Sequence, residues 1–143
     1  MHEKAADDLE LWREDLVWVQ AADHPIAAGS TIPFVSFDEN CFYRQAAQQA
    51  LAGSGRKLDV VLECPSAEGV KAGVRHGLGI GLIGRRILSE GLSVITADLP
   101  AFPQVCHVLR WRMGLPSDLQ KSLTDAVLHE MLEPGSEFTS VAA

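Results

Sequence analysis

Hydrophobic positions in this chain come in short blocks whose period changes from one block to the next. The most regular block is Leu58 to Leu88, LDVVLECPSAEGVKAGVRHGLGIGLIGRRIL. Val60, Val61 and Leu62 form an apolar run of the kind shown by a strand buried on both faces. Pro65 and Ser66 end that run, and Ser66 can cap a helix whose inward stripe is Ala67, Val70 and Val74. Gly77 and Gly79 stop the helix; Ile80, Leu82 and Ile83 then read as a second buried strand. The spacing predicts a compact strand–helix–strand unit making a right-handed crossover onto one parallel sheet. Ligands of open α/β sheets sit beyond the carboxyl ends of the strands, so the Cys64-Pro65-Ser66 turn is the first candidate binding position.

The other blocks extend the alternation. Met1 to Glu14 is charged and weakly patterned, and reads as a remnant or a scrap of helix. Leu16-Val17-Trp18-Val19 is a strand, broken at Asp23-His24-Pro25 because a residue before proline avoids the helical region. Ile32 to Phe37 is the next strand, with Pro33 near its start where a missing N–H is tolerated. Asp38-Glu39-Asn40 is a polar turn that can supply the cap of a helix predicted over Cys41 to Ala52, which Gly53-Ser54-Gly55 ends. A short strand at Leu92 to Ile95, a proline-bounded turn from Pro100 to Pro103 and a strand from Val105 to Trp111 follow the central block. Gly114 and Pro116 precede a last helix, for which Ser117 and Gln120 form a capping box. Its stripe is Leu119, Leu123, Val127 and Met131, and Pro134-Gly135 stops it. The small, polar tail to Ala143 is expected to fray. Alternating strands and helices make the fold class α/β.

Length and charge narrow the function classes. The 143 residues suffice for one domain with a real core. Twelve basic and 19 acidic residues give a net charge of −7, which argues against this chain holding a nucleic-acid backbone and otherwise serves solubility. No apolar run approaches the ~20 residues of a membrane span, and the polar, acidic start MHEKAADDLE does not read as a signal peptide. Cys41, Cys64 and Cys106 form no C-x-x-C pair, which fits a reducing, cytoplasmic setting. The five histidines have no metal-ligand spacing, and there is no G-x-S-x-G. Neither catalytic residues nor a cofactor nor a metal is therefore expected. Gly79 to Gly84 matches G-x-G-x-x-G, but a dinucleotide fingerprint must follow a strand and open a helix, whereas here a helix precedes the glycines. Gly77 and Gly79 are better read as a helix stop and a close packing point.

Four segments together resemble the effector-binding domain of LysR-type transcriptional regulators, in its C-terminal part. They are LVWVQAADHPIA (16–27), IPFVSFDENCFYRQAAQQAL (32–51) with its Cys41-x-x-Arg44 pattern, VVLECPSAEGVKAGVRHGLGIGLI (60–83) and LPAFPQVCHVLRW (99–111). The resemblance implies a periplasmic-binding-protein-like (type II) regulatory subdomain: a parallel-rich open sheet flanked by helices, truncated at the N-terminal side. On that basis 1–15 is an N-terminal remnant, 16–99 is regulatory subdomain two, 100–133 is the returning strand and helix of subdomain one, and 134–143 is a flexible tail. The winged helix-turn-helix of such regulators is absent from the chain, so DNA would be reached only through another part of the protein. The final strand and helix are expected to pack on a second copy, or to be partly compensated by Met1 to Glu14. The helix at Cys41–Ala52 and the strand at Leu58–Glu63 correspond to the family's usual dimer surface in subdomain two; its partner surface belongs to the part of subdomain one that is missing here, so the usual dimer is expected to be impaired and a different homodimer to replace it.

The resemblance also implies a small-molecule effector in a cleft between subdomains. Subdomain two would contribute Ser36, Phe37, Asp38, Asn40, Cys41 and Phe42 from one strand-to-helix turn, and Pro65, Ser66 and Ala67 from the other. Physical chemistry supports those turns independently, because helix-opening N–H groups at strand ends attract an anion or carboxylate. Asn40 and Ser66 serve as well for capping alone. Asp38 and Glu39 would repel an anion or select a cationic or hydroxylated effector, and are equally ordinary as solvated turn residues. Glu63, at a strand end, is expected to pair with a nearby base; Lys71, Arg75, Arg85 and Arg86 read as exposed helix-face charges. Two rival functions remain open at this point: a solute-binding protein of the same fold, and a redox sensor using Cys41 and Cys64, since a thiol near a helix N-terminus is acidified.

Overall fold

The computed structural model describes residues 8–27 and 29–132. The tail expected from residue 134 onward lies outside the described residues. In chain order the elements are β1 (Leu9–Glu14), β2 (Leu16–Ala21), β3 (Thr31–Ser36), α1 (Phe42–Leu51), β4 (Lys57–Glu63), α2 (Ala67–Arg75) and β5 (Gly81–Gly84). A single 3₁₀ turn at Arg85–Ile87 leads to β6 (Leu92–Val94), β7 (Val105–Leu109) and α3 (Ser117–Leu132). Two compact units divide these residues: Arg13–Val105, and residues 8–12 together with 106–132.

In the first unit β3 and β4 pair in parallel, and β2 runs antiparallel between β5 and β6. A parallel bridge at Phe34 and Ile80 joins the two pieces. Ile80 donates its N–H to the Pro33 carbonyl at 2.9 Å, and Val35 donates to the Ile80 carbonyl at 2.8 Å. The strand–helix–strand unit thus lands parallel to β3, as its spacing predicts, but the sheet as a whole is mixed because β2 is antiparallel to both its neighbours. Pro33 fits within β3 because its nitrogen faces the β5 side, ahead of the point where pairing there begins. Gly79 makes the bridge feasible: a Cβ on it would lie 2.6 Å from the Pro33 carbonyl oxygen.

Strict alternation divides the buried side chains between the two faces of the sheet. Leu16, Trp18, Ile32, Phe34, Ile80 and Leu82 share one core with Ala47 and Leu51 of α1. Val17, Val19, Val35, Phe37 and Ile83 share the other with Val70 and Val74 of α2. With both faces covered, strands can be apolar at successive positions, which is why LVWV and GLIG look like uninterrupted runs. Trp18 is 3% exposed, and its indole N–H donates to the Pro100 carbonyl at 2.9 Å.

A register shift interrupts the β3–β4 ladder. Phe34 faces Val60 but Val35 faces Leu62, so Val61 is an extra residue in β4. Such a bulge re-aims the side chains after it. Leu58 and Val60 pack toward the α1 core and Leu62 toward the α2 core. Glu63 consequently returns to the α1 face.

In the second unit β1 pairs with β7. Residues 9–14 are therefore a strand, not a scrap of helix, and β7 finds its partner within the chain. Trp12 stacks on His107 with ring centroids 4.7 Å apart, and Arg110 grips the Asp8 carboxylate through two bonds of 2.6 and 2.7 Å. The signal in residues 9–14 is weak because a two-stranded ribbon has no deep core to impose alternation. At α3 the expected capping box does not form. Gln120 N–H is taken by the Pro116 carbonyl at 3.0 Å, and its side chain reaches back to the Leu115 carbonyl at 2.7 Å. Ser117 is already inside the helix and is thus one residue too late to cap it.

Gly79→Ala is expected to destabilise the protein by about 2 kcal/mol or more, since overpacking against fixed backbone cannot be relieved by a rotamer change. Chemical denaturation measures this, and an unchanged midpoint would contradict the close approach.

Candidate functional site

The two candidate turns lie side by side because the strands that lead into them are parallel neighbours. Ser36 and Glu63 are in register at the ends of β3 and β4. Beyond them the Cys64 N–H donates to the Ser36 carbonyl at 2.9 Å. Arg44, in the first turn of α1, donates to Glu63 Oε2 at 2.5 Å. This is the base expected to pair with Glu63, and the β4 bulge aims the carboxylate at it. The pair ties α1 to the end of β4.

Ser36 and Phe37 are enclosed. Ser36 is fully buried, and its Oγ has no hydrogen-bond partner among the described residues. Phe37 is buried in the α2-side core and stacks on Tyr43 at 5.2 Å. Phe42 meets Tyr43 edge-on at 5.8 Å. These side chains form the floor beneath the turn. Asp38, Asn40, Pro65 and Ser66 are exposed, and Cys41, Phe42 and Ala67 half-buried. A solute at the turns therefore meets the second group, not the floor.

The helix starts differ. Ser66 caps α2 as expected, accepting from Gly69 N at 3.2 Å, and Glu68 adds a carboxylate to the first turn. Gly69 lets that turn press onto Cys64, whose Cβ would lie 3.0 Å from an added methyl. Asn40 does not cap α1. The N-cap is Cys41, which makes no side-chain bond, and no acid lies in the first turn. Asp38 instead uses Oδ1 to accept the Asn40 N–H at 3.1 Å and its carbonyl to accept Cys41 N–H at 3.0 Å. That local turn consumes the residues that could have capped the helix. Among the described residues no group caps the first N–H groups of α1, and they carry the positive end of its dipole.

Two contributors, Tyr43 and Glu14, were not singled out from the sequence, and a third residue, Lys71, was placed on the wrong side of its helix. Tyr43 lies under the turn, with its phenol pushed up from the ordinary value by burial and then by the charges of Glu14 and Cys41. Glu14 is buried, packs its carboxylate on Gly84 and accepts the Arg86 N–H at 3.3 Å. Lys71 is buried and bonds Glu68 at 2.6 Å, so it is not the exposed helix-face charge its neighbours suggested. All three depend on contacts between elements distant in the chain or on the helix face actually turned inward.

Cys41, Cys64 and Cys106 are not in disulfides. Among the described residues no group of three or more His, Cys, Asp or Glu could hold a metal ion. No helix among them is long and apolar enough to cross a membrane.

The sequence model of the LysR substrate binding domain matches residues 4–133. The chain belongs to the LysR substrate-binding-domain family. It is 29% identical over 128 residues to the uncharacterized HTH-type transcriptional regulator YeiE of Escherichia coli K12, covering 82% of this chain. It spans 42% of that relative's length. Solved structures give the same fold. The bromide-bound regulatory domain of HypT from Salmonella typhimurium has a TM-score of 0.65 at 17% identity, over 90% of this chain and 69% of that one. The effector binding domain of QuiR in complex with shikimate has 0.64 at 18%, over 86% and 64%. The regulatory domain of CcmR from Synechocystis PCC6803, in complex with 2-PG, has 0.59 at 22%, over 92% and 73%. This LysR-family chain thus has the type II periplasmic-binding-protein-like fold of regulatory domains.

The caps make a paired prediction. Ser66→Ala should cost about 1 kcal/mol, the usual loss for a formed N-cap, whereas Asn40→Ala should change stability by less than about 0.5 kcal/mol. Equal losses in urea unfolding would contradict the assignment. Tyr43 gives a second. It is the single tyrosine of the chain, so absorbance at alkaline pH reports it alone. Its midpoint should lie above the value of about 10 for a free phenol. The folded state then holds the proton more tightly than the unfolded state. The stabilisation is fully present below pH ~10 and is lost as pH rises toward the folded midpoint. A midpoint at or below that of unfolded protein would contradict the burial.

Proposed function

We propose that this chain is the effector-sensing part of a LysR-type transcriptional regulator. It binds a small polar metabolite at the paired strand-to-helix turns, through Asp38, Asn40, Cys41, Phe42, Pro65, Ser66 and Ala67, over a floor of Ser36 and Phe37. The observation that carries this reading is the side-by-side placement of the two turns with the opening N–H groups of α1 uncapped. Those donors suit a carboxylate or a hydroxylated group. Asp38 and Glu39 disfavour a large, highly charged anion and favour a ligand with hydroxyl or amine donors as well. The shikimate complex of a fold relative is compatible with such a ligand class.

In this reading 16–99 is the second regulatory subdomain and 100–133 the strand and helix returning to the first. The regulator works in the cytoplasm as a homodimer, with α1 and β4 contributing to self-association. It contacts DNA through a winged helix outside these residues, and ligand binding changes the geometry of the assembly on DNA. The chain performs no catalysis and uses no cofactor.

A thermal-shift screen of small hydroxylated acids against the full regulator tests the proposal. A true effector at about 100 times its Kd adds about 2.7 kcal/mol of apparent stability. Its binding should shift the backbone amide signals of Phe42 and Tyr43. If compounds that stabilise the protein leave both turns unperturbed, the site assignment fails.

A further inference from the structure

Two polar atoms buried near the start of α1, Ser36 Oγ and Arg44 Nε, have no hydrogen-bond partner among the described residues. Buried polar groups are nearly always paired, so each of these calls for a partner. Strand geometry brings the two to one corner. Ile32 and Phe34 of β3 face the α1 core and Val35 the α2 core, so alternation turns Ser36 to the α1 side. The β4 bulge turns Glu63 to the same side, and Ser36 and Glu63 are register partners. Neighbouring strands lie about 4.8 Å apart, so these side chains are neighbours. Arg44 reaches down to the pair from α1 and donates Nη1–H to Glu63 Oε2 at 2.5 Å. Its Nε belongs to the same planar group and is enclosed beside them.

The three groups define what can sit there. Arg44 Nε–H only donates, the Ser36 hydroxyl donates and accepts, and the Glu63 carboxylate only accepts. A group that satisfies all three must accept from the guanidinium and donate to the carboxylate. A cation fails, because it cannot accept from Arg44 and is repelled by it. An anion fails, because Glu63 already neutralises Arg44 and repels a second negative charge. A neutral oxygen with two lone pairs and two protons fits. Enclosure limits its size: Ser36 is fully buried, and the Arg44 side chain is 16% exposed. Polar corners that offer two to four partners are where buried waters occur.

We propose that this corner is a binding site for one internal water, held by Arg44 Nε–H, Ser36 Oγ and the Glu63 carboxylate. The Arg44–Glu63 pair joins α1 to β4, and the Cys64–Ser36 backbone bond joins β4 to β3. The water adds the third side, from α1 to β3. Closing that triangle fixes the first turn of α1 over Ser36 and Phe37. A solute that uses the α1 N–H groups then finds them already positioned, and less freedom is lost on binding. The Ser36 hydroxyl serves the floor and is engaged before any solute arrives. Both buried atoms are enclosed within the first unit itself, so a second copy on the outer face of α1 neither fills the site nor is needed for it.

Proton NMR of the 15N-labelled chain tests the proposal, because a guanidinium Hε resonates apart from the backbone amides. Arg44→Lys identifies the Arg44 Hε signal by its loss. In the unmodified chain that Hε should show a cross-peak to water with the sign of a molecule that tumbles with the protein. Ser36→Ala removes one of the three partners and should speed exchange of the Arg44 Hε about ten-fold. Where Ser36→Ala does not fold, the cross-peak of the unmodified chain decides alone. A folded chain whose Arg44 Hε shows no such cross-peak would overturn the proposal. So would an Arg44 Hε in contact with side-chain protons in place of water, or an exchange rate unchanged by Ser36→Ala. No effector enters the measurement, so a negative result strikes the water site and leaves the effector reading to its own screen.

Discussion

The backbone bridge between Phe34 and Ile80 is the contact on which the first unit depends. It joins a parallel pair, β3 and β4, to an antiparallel set, β5, β2 and β6. Two hydrogen bonds form it, and a glycine at 79 lets the chains approach closely enough to make them. Once it is made, alternation does the rest. Each strand sends one set of side chains toward α1 and the other toward α2, so two cores form on a single sheet. The carboxyl ends of β3 and β4 then lie in register, and the turns that follow them are neighbours. The candidate site is a consequence of sheet assembly before it is a matter of which side chains occupy it.

The β4 bulge is the second determinant. Were Val61 paired regularly and not bulged, Glu63 would fall on the α2 face and could not reach Arg44. The Arg44–Glu63 pair has one largely buried partner, at 16% exposure, and one half-exposed partner, at 51%. Its net contribution to stability is accordingly modest. Its geometric effect is larger, because it holds the first turn of α1 against the strand end. Together with the Cys64–Ser36 backbone bond it makes two separate turns behave as one surface.

Charge is distributed unevenly between the ends of that strand pair. At the carboxyl end, exposed Asp38 and Glu39 stand beside the open start of α1, so local acids moderate the helix dipole. At the amino end, Arg56 and Lys57 follow the close of α1. The two ends therefore differ in charge. The same parallel pair creates both, since the end of one helix and the start of the other fall at opposite ends of adjacent strands.

Local pattern by itself determined a good deal. The central strand–helix–strand, the Ser66 cap and the Gly77 stop rest on local interactions, which leave their mark on neighbouring positions, whereas the close packing at Gly79 was marked only by the glycine itself, its partner Pro33 being far along the chain. The alternating class and the LysR-family fold follow from the same blocks taken in order. What escaped the sequence involves choices between competing partners. Asn40 had the right chemistry for a cap, but Asp38 closed a local turn first. Ser117 had the right partner at Gln120, but the helix already starts at Ser117 and the Pro116 carbonyl takes the Gln120 N–H. β1 is a strand because β7, some ninety residues away, offers it an unpaired edge, and Lys71 is inside because of the face α2 turns to the sheet. The bulge at Val61, and with it the aim of Glu63, is likewise visible only when two strands are laid together. The sequence settled which residues could form each element; tertiary structure decided which of several adequate hydrogen-bond partners each one met, because that depends on distance in space and not along the chain.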